Sequence, residues 1–212
     1  MIQRISWHSL ALLSTLLPGL LVSQGQAPAR RAIGHVVLSD TLPRVRVEVD
    51  SAFDYLGRVT LPVGEVALAE QFIFADVRNG RIERAVIVHF EHFFPDNARV
   101  FGYPPGPAAT LGAHTYLHQN WWLGPDFMAK PALDSLIRRH GLATDSTYGS
   151  DRYVRVLDES TKHEFILFYL ESGTLLKGVG RVAPRVAGDI PDETAREMAQ
   201  RARRAFTVLD TP

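Results

Sequence analysis

Residues 65–93 read EVALAEQFIFADVRNGRIERAVIVHFEHF, two apolar runs on either side of Asn79-Gly80. That dipeptide tolerates positive φ at both central positions of a two-residue type I′ turn, so the segment is expected to fold as a β-hairpin. Counting outward from the turn sets Arg78 opposite Arg81, Phe74 opposite Ala85, Phe72 opposite Ile87 and Glu70 opposite His89. On this register Glu70, Phe72, Phe74, Ala85, Ile87, His89 and Glu91 share one face, and Gln71, Ile73, Val86, Val88, Phe90 and His92 share the other. Both faces are apolar near the middle. A strand pair of this kind must be covered on both sides, by helices or by a second sheet.

The flanking sequence extends the same period. Val45, Val47 and Val49 alternate with Arg46 and Glu48, and Val59 to Val63 looks extended, with Pro62 and Gly64 marking an edge or break. Tyr153 to Leu157 and Phe165 to Leu170 form a second expected hairpin around Glu159 to Lys162. Helical spacing is confined to two places. Pro131 to His140 is a short helix with Pro at its start and Gly141 as its cap, and about Asp192 to Phe206 is an amphipathic helix with Met198, Ala199 and Ala202 on its apolar side. Residues 95–130 carry five Pro and four Gly with Phe101, Tyr103, Tyr116, Trp121, Trp122 and Phe127, and are expected to form an ordered aromatic loop. The fold class is therefore α+β: a curved, mainly antiparallel sheet, a C-terminal amphipathic helix packed on it and a long aromatic, Pro- and Gly-containing loop.

At the N-terminus, Arg4 precedes an apolar stretch from Leu10 to Val22, and small residues follow at Gly25, Ala27 and Ala29. Residues 1–27 are expected to be a signal peptide cut after Ala27 or Ala29, leaving 28–212 as one globular domain with no stable membrane anchor. The expected location is the periplasm or exterior of a bacterium. The 23 Lys and Arg balance 23 Asp and Glu, which gives no electrostatic ground for a nucleic-acid partner. The chain has no Cys, which excludes disulfides, thiolate metal sites and a Cys nucleophile.

Three groups of residues carry potential chemistry. Glu70, His89 and Glu91 fall together on the expected hairpin face, where buried acids and imidazoles need partners, and they are the candidate acid–base residues. His114 and His118 have a spacing that puts both on one side of a strand or helix, and with His89 they are candidate ligands for a divalent metal. Tyr103, Tyr116, Trp121, Trp122 and Phe127 offer ring faces for an apolar or aromatic ligand. Arg138-Arg139-His140-Gly141 ends a helix and reads as a cap. No Gly-x-Ser-x-Gly elbow, phosphate loop or dinucleotide fingerprint is present. The leading expectation is an exported domain that binds a small apolar or aromatic ligand without an obligate cofactor. A metal-dependent or His/Glu acid–base enzyme of hydrolase type, and a protein-interaction module, are the alternatives.

Overall fold

The structure, a computed structural model, describes residues 29–178 and 190–210; the expected signal segment 1–27 lies outside them. Two antiparallel sheets dominate. The smaller has the order β1 (Arg30–Ile33), β2 (Val36–Ser39), β3 (Val45–Val49), β11 (Phe206–Asp210). The larger runs β4 (Asp54–Val63), β5 (Ala67–Arg78), β6 (Arg81–Phe93), β10 (His163–Ser172), β9 (Tyr148–Val156), β8 (His114–Leu123), β7 (Ala108–Leu111). Neither sheet is strongly curled. Among the described residues three helices accompany them: α1 (Pro131–Arg139), α2 (Gly173–Gly178) and α3 (Asp192–Ala205). The antiparallel main sheet and the C-terminal helix are as expected, while the separate four-stranded sheet is an addition. Pro62 sits in the edge strand β4, the place in a sheet where proline is tolerated.

The Asn79-Gly80 turn forms, with φ of 51° and 72° at its two residues. The register beyond it does not continue as counted. Val77 pairs Ile82, but Asp76 pairs Arg84, so Glu83 is an extra, bulged residue and every later pair shifts by one. His89 therefore lies opposite Gln71, and Glu70 opposite Phe90. The slip corrects the expected face assignment: Glu70 stays with Phe72, Phe74 and Phe90, whereas His89 and Glu91 lie on the other face with Ile73 and Ile87.

Deleting Glu83 is expected to keep Gln71 opposite His89, since only the unpaired residue is lost and both strands alternate cleanly into the turn. The lost Arg78–Glu83 ion pair is exposed, so stability should change by no more than about 1 kcal/mol. Interstrand NOEs would check this, and a deletion variant with Glu70 opposite His89 would contradict it.

Both faces of the main sheet are covered, as two-sided greasy strands require. One face packs Phe72, Phe90, Trp122 and Tyr169 against Val45, Val47 and Phe206 of the small sheet and Met198 and Ala202 of α3. The other packs Ile73, Ile87, Ile166 and Phe168 against Met128 and against Leu133, Leu136 and Ile137 of α1. Burying each of those three helix side chains contributes roughly 1.5–3 kcal/mol. Two glycines permit these approaches. A Cβ on Gly57, where φ is +143°, would sit 2.9 Å from Leu136 of α1, and one on Gly149 would sit 2.8 Å from Leu176 and 3.0 Å from Met198 Sδ.

Residues 108–123, expected within an irregular loop, are a hairpin instead, with Gly112 at positive φ in its turn. β8 pairs along β9, so alternation divides its aromatics: Tyr116 and Trp122 enter the small-sheet core, and Trp121 faces α1. The segment 94–107 is tied down by Phe101 N–H to Thr161 O at 2.7 Å and by Phe101 stacking on Phe93 at 4.3 Å. It delivers Tyr103 onto the α1 face.

Candidate functional site

On the α1 face, strand pairing sets charged and polar residues in neighbouring rows. Gln71 of β5 faces His89 of β6, and Glu91 of β6 faces Glu164 of β10. One row along, Phe168 of β10, Arg152 of β9 and Gln119 of β8 are successive partners. The side chains join into one network. Gln71 Nε2 lies 2.8 Å from His89 Nδ1, and His89 Nε2 lies 2.8 Å from Glu91 Oε2. The Tyr103 hydroxyl donates to Glu164 Oε2 at 2.5 Å, and Arg152 Nη2 donates to the Tyr103 oxygen at 3.0 Å. Arg152 Nη1 donates to Gln119 Oε1 at 3.3 Å, and its guanidinium sits 5.3 Å from the Tyr103 and Trp121 ring centres and 5.6 Å from Phe168. Planar guanidinium faces suit such ring stacking, which spares Arg152 some of the cost of leaving water.

Glu91 and Glu164 retain side-chain exposures of only 10% and 3%. Burial is the main cause that pushes Glu164 up to about 7; the Tyr103 hydrogen bond opposes it, the Glu91 carboxylate adds to it, and Arg152 draws it down. Burial also holds the His89 imidazole below its ordinary range, against the pull of Glu91. A neutral His89 that accepts from Gln71 at Nδ1 carries its proton on Nε2 and donates it to Glu91. The arrangement can hold and pass a proton, or gather a cation: one atom each from His89, Glu91 and Glu164 lie within 4.8 Å of one another.

Beside this network is a cleft of about 440 Å³, walled by Tyr103, Pro104, Pro105, Leu117, Val154 and Val156, with Thr115 and Arg155 as polar groups and Ala108 at its rim. Tyr103 belongs to both: its ring lines the cleft and its hydroxyl reaches Glu164.

The structure distributes the sequence-derived candidates over two faces. Glu70 does not join His89; it accepts from Arg30 and Arg58, each at 3.1 Å, and so ties β1 to the main sheet. His118 is on the small-sheet side, where its Nε2 is 2.6 Å from Asp151 Oδ1, and its ring stacks on Tyr153 at 4.8 Å. His114 shares the strand parity of His118. The sheet thus separates both from His89, and the three imidazoles do not form one metal centre. Tyr103, Trp121 and Phe127 are on the α1 face, Tyr116 reaches the cleft from the small-sheet core, and Trp122 is 2% exposed within that core. Sequence reading missed Gln71, Arg152 and Glu164. The signal available was Glu164 at the head of the apolar run Phe165 to Leu170, but nothing local says that β10 lies against β6.

No family model matches the chain, and neither curated proteins nor solved structures give a significant match.

Proposed function

We propose that the chain is an exported domain that binds a small, largely apolar or aromatic ligand in the Tyr103 cleft. The observation that carries this is the double role of Tyr103, which walls an apolar cleft of ligand size and hydrogen-bonds a buried acid, Glu164. Mostly apolar clefts with a few convergent polar groups are the usual form of small-molecule sites. The wall is built by the 103–107 segment laid beside β8 and β9 rather than by deep sheet curvature. Arg155 offers an anionic ligand group a partner, and Tyr103 connects through Arg152 to the Trp121 ring, which makes Trp121 a reporter.

A second reading, acid–base chemistry, is favoured by the Glu91–Glu164 pair, since an acid poised near 7 suits proton transfer at neutral pH. The protein-contact reading has less support, because Trp122 is buried and Trp121 packs on Arg152.

The test is titration of the folded protein with 1-anilinonaphthalene-8-sulfonate, read by calorimetry and by Trp emission. One saturable site is expected. Ala108→Trp, which fills the cleft from an exposed rim position, should weaken binding by at least about tenfold, roughly 1.4 kcal/mol. Thr60→Trp, an exposed position on β4 at the opposite edge of the same sheet, should not. Absent saturation, or equal binding in both variants, would overturn the reading.

A further inference from the structure

We propose that His89, Glu91 and Glu164 bind one divalent transition-metal cation, with Gln71 orienting the imidazole. This stands apart from the cleft, since it uses the buried acids themselves and needs no organic ligand.

Geometry is the first ground. A nitrogen and two carboxylate oxygens, drawn from two adjacent strands, lie within 4.8 Å of one another, so a single ion can reach all three after small side-chain rotations. Charge is the second. Glu91 and Glu164 are direct cross-strand partners, both about nine-tenths or more buried, and like charges so placed repel strongly unless a proton or a metal cation is held between them. Arg152 does not fill that role: its Nη2 is 4.0 Å from Glu164 Oε1, and its donors are directed to Tyr103 and Gln119.

The third ground is independent of the acids. Gln71 is 2% exposed, and its Oε1 is buried without a hydrogen-bond partner while its Nε2 faces His89 Nδ1. Turning the amide over places Oε1 against Nδ1, where it accepts a hydrogen bond from the Nδ1–H. The imidazole then carries its proton on Nδ1, stays neutral, and presents the Nε2 lone pair toward Glu91 and Glu164. This is the outer-sphere contact that metal-bound histidines usually make. One imidazole with two carboxylates favours zinc, manganese, cobalt or ferrous ions over magnesium or calcium, which prefer all-oxygen sets. Three protein ligands leave coordination positions for water or a bound molecule.

The test is titration of the chelator-stripped protein with cobalt(II), followed by visible absorption and calorimetry, and repeated with zinc. One ion per chain is expected. Glu91→Gln and Glu164→Gln, which preserve shape, should each weaken binding at least about a hundredfold, while melting curves show that both remain folded. Gln71→Ala should weaken it by about 10–100-fold, and Gln71→Glu, which still accepts from Nδ1, should restore most of the loss. His114→Ala, across the sheet, should leave the affinity unchanged. Absence of stoichiometric cobalt and zinc binding, or binding that survives both Gln variants, would overturn the proposal. Neither result bears on titration of the cleft with the naphthalene sulfonate.

Discussion

In the presence of chelator the protein is expected to lose stability as pH rises from about 5 to 8, and Glu164→Gln is expected to remove most of that loss. The Glu164 carboxyl is raised from 4.5 to about 7 in the folded chain, chiefly by burial. Between those values the folded protein keeps a proton that the unfolded chain has released. Stability therefore falls with pH across that window, and the full cost is present above about 7. The size is about 3 kcal/mol, from 1.36 kcal/mol per unit. His89 acts in the opposite sense below its ordinary value, because its lowered pKa makes the folded state release a proton first. The difference between wild type and Glu164→Gln isolates the carboxyl from that effect. Urea unfolding at a series of pH values measures it, and identical slopes in the two proteins would contradict it.

Asp151→Ala is expected to lower stability by about 3–5 kcal/mol. Asp151 is fully buried on the small-sheet side and accepts from His118 Nε2 at 2.6 Å, from the Tyr153 hydroxyl at 2.5 Å and from the Asn120 amide. Cross-strand pairing of His118 with Tyr153 and of Asn120 with Asp151 brings these donors to one carboxylate. Burial raises the Tyr153 pKa, with Asp151 adding to the effect, so the hydroxyl stays a donor at every accessible pH. Removal of the carboxylate leaves the buried Tyr153 hydroxyl without its acceptor and takes the shared partner from the half-buried His118 and Asn120, and an unpaired buried donor costs about 1–3 kcal/mol. Asp151→Asn keeps one acceptor oxygen and should cost less. A loss below about 1 kcal/mol in Asp151→Ala would show that the network contributes little.

Much of the architecture is legible in the chain because local chemistry determines it. Asn79-Gly80 supplies the only conformation its turn needs, Pro131 and Gly141 bracket α1, and Met198 and Ala202 define the buried side of α3. The site is less legible, and the hairpin shows why. Hydrophobic alternation fixes register only when one face is wet, because a slip of one residue then exposes apolar groups. Here Phe72 and Ile73, or Val86 and Ile87, are equally buried on opposite faces, so a bulge at Glu83 leaves no trace in the pattern. That one residue decides whether His89 meets Glu70 or Gln71. The 108–123 hairpin was hidden for a related reason. His114, Tyr116, His118 and Asn120 alternate with Thr115, Leu117 and Gln119, so polar and apolar groups occur on both sides and no period of two stands out. Glu164 becomes visible only when β10 is known to lie beside β6, a pairing between distant segments that no local rule supplies.

The binding face is tested most directly by two-dimensional amide NMR of the labelled protein during titration with 1-anilinonaphthalene-8-sulfonate. Shifts should concentrate at Tyr103, Leu117, Val154 and Val156 and extend to the Trp121 indole. Shifts gathered instead at His118, Asn120 and Arg196, in the cleft beneath α3 on the opposite face, would contradict it.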